Sequence, residues 1–171
     1  MLVKCIHWIT LSLIFLFLTC NAHAFDGHRK GFVLGIGLGS GLITFSPGED
    51  PKYRLAAITD FRIGYAIDNS WQLYWTFKDA QLRLHKSTNW LMFEGIGCSY
   101  YFKPEAVSPF VAGGIGFSNY GGSNRYSHFG SFAGGGLEFS RHLSLETYLS
   151  WAVTHCGKFL SLRISVNVLG Y

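Results

Sequence analysis

A chain of 171 residues is long enough for one domain with a substantial core. Hydrophobic residues make up 49% of it and aromatic residues 17%, while charged residues fall to 14%, against about 25% in ordinary soluble domains. The formal charge of +4 is too mild and too scattered for a nucleic-acid partner, and beyond the first 24 residues no apolar run reaches the about 18 residues that a membrane helix needs.

Residues 1–24 read as a secretory signal. Lys4 supplies the positive start and residues 9–18 an apolar stretch shorter than a membrane span. Ala22-His23-Ala24 then puts small residues where a signal peptidase reads, so cleavage is expected after Ala24. A competing lipoprotein reading would acylate Cys20, but Leu18-Thr19 fits that motif poorly. Residues 25–171 form one domain, with a charge of +3 once Lys4 is lost and with two cysteines, Cys98 and Cys156. The strand layout puts those two at opposite ends, so free thiols are expected.

A period-two alternation of large apolar with small or polar residues predicts eight strands. Strand one, 31–44, sets Phe32, Leu34, Ile36 and Leu38 against Gly35, Gly37 and Gly39; Pro-Gly and Asp-Pro signals then mark a loop at 45–52. Strand two, 53–67, alternates Leu55, Phe61, Ile63 and Tyr65 with Arg54, Asp60, Arg62 and Gly64, and ends in a tight turn at Asp68-Asn69. Strand three opposes Trp71, Leu73, Trp75 and Phe77 to Gln72, Tyr74, Thr76 and Lys78, and a polar loop is expected over 79–88. Strand four, 89–102, is out of phase in its first half, which predicts a bulge near Glu94. Strands five and six carry the glycine-rich runs 109–117 and 129–139 on either side of a polar break at 119–127. Ser140-Arg141-His142 turns into strand seven, where Leu145, Leu149 and Trp151 oppose Ser144, Glu146, Tyr148 and Ser150. After a loop at 154–158, strand eight opposes Leu162, Ile164 and Val166 to Arg163, Ser165 and Asn167.

The second and sixth connections are tight, the fourth is short, and the odd ones are mostly longer. Outer-membrane barrels follow that rule, with an even number of strands, short periplasmic turns and longer extracellular loops. The expected fold is all-β: an eight-stranded antiparallel up-and-down transmembrane β-barrel. A secreted soluble barrel binding a small apolar ligand would alternate as well, but eight strands enclose room only for side chains or one small ligand. That interior could not take the Trp, Phe, Leu and Ile of all eight strands, and a water-facing wall of Gly, Ala and Ser would be unusual. Large apolar side chains are therefore expected to face lipid, and glycines and charges the lumen. A carboxylate in a narrow lumen is costly unless paired. Glu94, Glu138 and Glu146 are accordingly expected to meet Arg62 and Arg163 in a sealed charge network that also includes Arg54.

The run Pro109-Phe110-Val111-Ala112-Gly113-Gly114-Ile115-Gly116-Phe117, the run Gly134-Gly135-Gly136-Leu137-Glu138-Phe139 and the terminal aromatic resemble the small outer-membrane β-barrel family of the OmpA transmembrane domain and OmpX. The resemblance covers nearly all of residues 25–171. It implies a bacterial outer-membrane location, contact with outer-membrane lipid and lipopolysaccharide, and insertion by the barrel assembly machinery, which reads the last strand and its terminal aromatic. Tyr171 would be that signal, although it is in phase with Asn167 and Leu169 instead of Val166 and Val168. A monomer is expected, with the loops free to contact a host or surface ligand.

Pro109-Phe110 and Gly113-Gly114-Ile115-Gly116 are also similar to the fifth strand of the lipid A deacylase family PagL. That family's chemistry implies a histidine base beside a serine nucleophile on the outer wall. Strand seven offers Tyr148-Leu149-Ser150-Trp151, and His155 is followed by Cys156-Gly157 in place of a serine, so the pattern is absent and no catalytic residue is assigned. No histidine spacing matches a zinc motif, His85, His128 and His155 included, and Gly35-Ile36-Gly37-Leu38-Gly39-Ser40 lacks the last glycine of a dinucleotide fingerprint. Neither a metal nor a cofactor is expected.

Overall fold

The computed structural model describes residues 29–46, 52–84, 87–121, 127–140, 142–154 and 157–171. They form β1 (Gly31–Ser46), β2 (Lys52–Ala66), β3 (Trp71–Leu84), β4 (Ser87–Tyr101), β5 (Ser108–Gly121), β6 (Ser127–Ser140), β7 (Leu143–Thr154) and β8 (Gly157–Gly170). Every strand pairs antiparallel with its neighbours in sequence, and β1 closes on β8. This is the up-and-down barrel that the alternation predicts. Following paired residues round the wall from Leu34, through Trp75, Ile115 and Leu160, returns to β1 at Thr44, ten residues further on. With about 3.3 Å of rise per residue and about 4.8 Å between strands, that stagger tilts the strands roughly 40° from the barrel axis.

Alternation assigns the two faces. Leu73, Ile115 and Leu145 stand 53%, 63% and 41% exposed on the outer wall, while Glu138 and Arg163 are 2% and 1% exposed inside. Tyr100 packs against Trp71 and Phe102 near the end where β1 starts and β8 finishes (the terminal end), at ring separations of 4.8 and 5.3 Å. Trp90 lies ten residues away on the same strand and face. That span is about 33 Å along the strand and about 25 Å along the axis, the height of the apolar band of a membrane barrel.

Glycine earns its frequency on the lumen side. A Cβ on Gly114 would come within 2.4 Å of the Phe132 ring and 2.5 Å of the Ile96 carbonyl, and one on Gly97 within 2.6 Å of the Tyr74 ring. Bare backbone on β4 and β5 is what leaves room for those inward rings. Between β2 and β3 the tight turn is held as expected, with the Asp68 carboxylate accepting from the backbone N–H of Ser70 and Trp71, both at 2.7 Å.

Four predicted loops lose residues to the strands beside them. β3 continues to Leu84 and β4 starts at Ser87, so most of the expected polar loop 79–88 is strand, paired from Asp79 opposite Met92 to Leu84 opposite Ser87. Ladder pairing there outweighs polar composition. By the same extension the loop 45–52 gives Phe45 and Ser46 to β1 and Lys52 to β2, the polar break 119–127 gives Asn119, Tyr120 and Gly121 to β5 and Ser127 to β6, and the loop 154–158 gives Thr154 to β7 and Gly157 and Lys158 to β8. The bulge expected near Glu94 does not form: β4 pairs without interruption on both sides, and the irregularity falls instead between Glu138 and Ser140 on β6.

Candidate functional site

The lumen is filled in layers. Toward the loop end, Ile43, Ile58, Leu82, Leu91 and Phe159 form an apolar cluster, with Tyr120 stacked 5.0 Å from the Phe159 ring. Beneath it lies the charged layer. Asp60 accepts from Tyr148 Oη at 2.6 Å and Ser165 Oγ at 2.8 Å and faces Lys78 Nζ at 3.6 Å. The Lys78 ammonium stands 4.1 Å from the centre of the Tyr148 ring and 5.1 Å from that of Phe132, aromatic faces that suit a desolvated cation. Arg62 Nη2 donates to Glu146 Oε1, which also accepts from Ser144 Oγ at 3.2 Å. Tyr74 Oη is 3.0 Å from Ser99 Oγ, with the Arg62 guanidinium 5.1 Å above its ring.

At the terminal end, Arg29 Nε donates to Glu138 Oε2 at 2.9 Å, and Tyr171 Oη donates to the same oxygen at 3.1 Å. Burial pushes the Tyr171 phenol up to about 12, with the Glu138 charge adding to the effect, so the hydroxyl stays a donor. Tyr171 follows the last residue of β8 with no bulge at Gly170, and its side chain turns inward, as its phase requires. Among the described residues the lumen holds four cations (Arg29, Arg62, Lys78 and Arg163) against three carboxylates (Asp60, Glu138 and Glu146).

Several expected members of this network stand elsewhere. Glu94 shares the outward phase of Ile96 and Cys98, because without a bulge the alternation of β4 runs unbroken. It is exposed on the wall, opposite Phe77 and Phe117. Arg54 keeps the inward phase of β2 but lies beyond the buried Ala56, past the apolar cluster, and is exposed. Glu138 meets Arg29 in place of Arg62 or Arg163. Arg163 forms no ion pair among the described residues; its Nε donates to Ser161 Oγ at 2.9 Å, and its guanidinium lies 5.9 Å from the Tyr148 ring centre. Asp60 and Lys78 were legible as inward by phase, whereas Arg29, outside every strand, carries no alternation signal.

Nothing in the described residues assembles a hydrolytic centre. Ser150 is buried in the lumen against Ser161, not presented on the outer wall, and His155 lies outside the described residues, as do His85 and Cys156. No group of three metal-ligating side chains occurs among the described residues. Cys98 is a free thiol exposed on the wall. It floors a shallow concavity of about 640 Å³ with Gly113 and Ala133, which the strand registers align, between the flanking Leu73 and Leu149.

An eight-stranded barrel with apolar residues outside and a filled, charged lumen inside has the fold of the small outer-membrane barrels. Neisserial surface protein A (NspA) superposes with a TM-score of 0.63 at 14% identity, over 82% of this chain and 97% of that one. Ail, the attachment invasion locus protein of Yersinia pestis, gives 0.59 at 13% identity over 82% and 99%. The outer membrane enzyme PagL gives 0.52 at 12% identity over 80% and 98%. No protein-family model and no curated protein matches the chain.

Proposed function

We propose that this chain is an integral barrel of the bacterial outer membrane, cleaved after Ala24, with a structural and surface-interaction role and no catalytic centre. The observation that carries the reading is the outer wall. Leu38, Leu55, Ile96 and Ile115 are 60–73% exposed there, within a band about 25 Å tall between aromatic belts. Such a continuous apolar surface would drive aggregation in water and suits hydrocarbon. Barrel closure leaves no unpaired strand edge, the other condition for crossing a bilayer. A soluble carrier of an apolar ligand would have these faces reversed.

By the rule for such barrels, the end with the termini and short turns faces the periplasm. In sequence the opposite end gathers Lys52, Arg54, Arg83, Lys86, Arg125 and Lys158 against Glu49 and Asp50. That excess of cations suits an anionic surface, such as phosphorylated lipopolysaccharide sugars or a sulfated polysaccharide. Ail, of the same fold, has been solved with the heparin analogue sucrose octasulfate. Tyr171 serves in this reading as the terminal aromatic presented to the barrel assembly machinery, Arg62 and Glu146 belong to a charge network that plugs the lumen, and the barrel acts as a monomer.

The membrane reading is tested by gel mobility in SDS with and without boiling, on protein from an outer-membrane fraction. A shift on boiling is expected, and an unchanged band would overturn it. Binding of immobilised heparin and lipopolysaccharide tests the outer end. Binding that weakens with salt and with charge reversal at Arg54 and Lys158 is expected, and salt-insensitive or undetectable binding would refute it.

A further inference from the structure

Arg29 lies two residues before β1 and is 3% exposed, yet none of its partners belongs to its own strand. Its Nε donates to Glu138 Oε2 on β6 at 2.9 Å. Nη1 donates to the carbonyls of Lys103 at 2.9 Å and Asn69 at 3.2 Å, and Nη2 to that of Glu105. Its backbone N–H donates to Asn69 Oδ1 at 3.0 Å, and its guanidinium lies 4.2 Å from the centre of the Tyr101 ring. One side chain thus ties the β2–β3 turn, the β4–β5 connection and β6 together across the terminal mouth. Through the shared Glu138 oxygen it also reaches Tyr171, so residues next to both ends of the barrel chain meet on one carboxylate.

Gly31 supplies the second, independent observation. Its φ is +129°, a conformation that a side chain disfavours, and a Cβ there would meet nothing within 4 Å. The glycine is needed for the backbone bend and not for space. At this bend residues 29–30 turn back over the opening.

We propose that Arg29 is a hinged latch that closes the terminal mouth of the lumen. It is held by ions and hydrogen bonds, not by ladder pairing, so it opens without unzipping the barrel. Opening admits water and small polar solutes to the buried polar groups around Glu138 and the Arg62–Glu146 pair.

The test uses Ser144→Cys, a fully buried position opposite Glu138 in the register, in a Cys98→Ser, Cys156→Ser background. The rate of labelling by a charged methanethiosulfonate is read on detergent-folded protein whose fold is verified by its heat-dependent gel mobility. Arg29→Ala removes one partner of a buried pair and is expected to raise the rate at least about tenfold. Gly31→Ala, which stiffens the hinge in the wrong conformation, is expected to act in the same direction, and Lys30→Ala to leave the rate unchanged. Should Arg29→Ala fail to fold, Tyr171→Phe carries the test through the loss of one donor to Glu138, with about a threefold rise expected. A folded Arg29→Ala barrel, or in its place Tyr171→Phe, that labels at the parent rate would overturn the latch.

Discussion

Glu94 stands outward on β4, six residues from Tyr100 and four from Trp90, between Phe77 on one neighbouring strand and Phe117 on the other. At a tilt of roughly 40° it lies about 15 Å along the axis from the level of Tyr100 and about 10 Å from that of Trp90, well inside the apolar band. Arg or Lys on the lipid face costs about 2–4 kcal/mol at mid-depth, and a carboxylate somewhat less. Glu94→Leu should therefore stabilise the barrel by about 1–2 kcal/mol in lipid. The same change at Glu146 leaves Arg62 buried without its partner and should destabilise by about 3–5 kcal/mol. Reversible urea unfolding of the barrel in lipid vesicles, extrapolated linearly to water, reads both. The sign contrast is the point, because one chemical replacement is predicted to act in opposite directions on the two faces of one wall. A Glu94→Leu variant less stable than the parent would mean that this carboxylate has a stabilising partner on the wall, and the assignment of that face to lipid would fail.

Three further outcomes follow from the same geometry. Arg62→Ala should cost about 3–5 kcal/mol in the same assay, and Arg62→Ala combined with Glu146→Ala clearly less than the sum of the single changes, since the two share one interaction. Gly114→Val should destabilise by about 1–3 kcal/mol or block folding, because its side chain would enter the Phe132 ring, whereas Gly113→Val, whose Cβ meets nothing nearer than 3.4 Å, should be tolerated; equal losses in unfolding free energy would refute the face assignment. Cys98, exposed on the wall, should react in vesicles with an apolar maleimide and resist a charged methanethiosulfonate, which mass spectrometry of the two adducts reads directly.

Period-two alternation carries most of this architecture because a barrel wall has only two environments. Counting from an unambiguous residue such as Leu73 or Leu145 places every neighbour on its strand. The count goes astray where a residue's chemistry is allowed to overrule its phase. Glu94 is the instance: the large apolar Leu91 and Phe93 put the first half of strand four out of phase in sequence, which predicts a bulge and an inward carboxylate, but both fill the lumen and the uninterrupted β3–β4–β5 pairing keeps Glu94 outside. Asp79 and Gln81 mislead in the same way, reading as loop when β3 extends through them as wall, with Asp79 Oδ2 accepting from Gln81 Nε2 at 3.3 Å. Pairing across the lumen is less legible still. Which acid meets which base depends on the stagger of ten residues round the barrel, a global quantity that no single strand encodes. Arg29, beyond the alternating segment, could be found only from its hydrogen bonds.

The lumen is closed by different physics at its two ends, and that asymmetry decides where it can open. Toward the loops, Ile43, Ile58, Leu91 and Phe159 form an apolar cluster, so admitting water there means hydrating apolar surface that offers it no hydrogen bonds. At the terminal mouth every contact of Arg29 is polar or cation–π, and water can replace each hydrogen bond as it breaks, so the net loss per bond is only about 0.5–3 kcal/mol. Between the two lies a layer whose three cations (Arg62, Lys78 and Arg163) and two carboxylates (Asp60 and Glu146) are costly to keep dry and gain from any water that reaches them. On the latch proposal, exchange with solvent occurs at the end where β1 starts and β8 finishes, and the apolar layer keeps such exchange from becoming a path through the wall's full height.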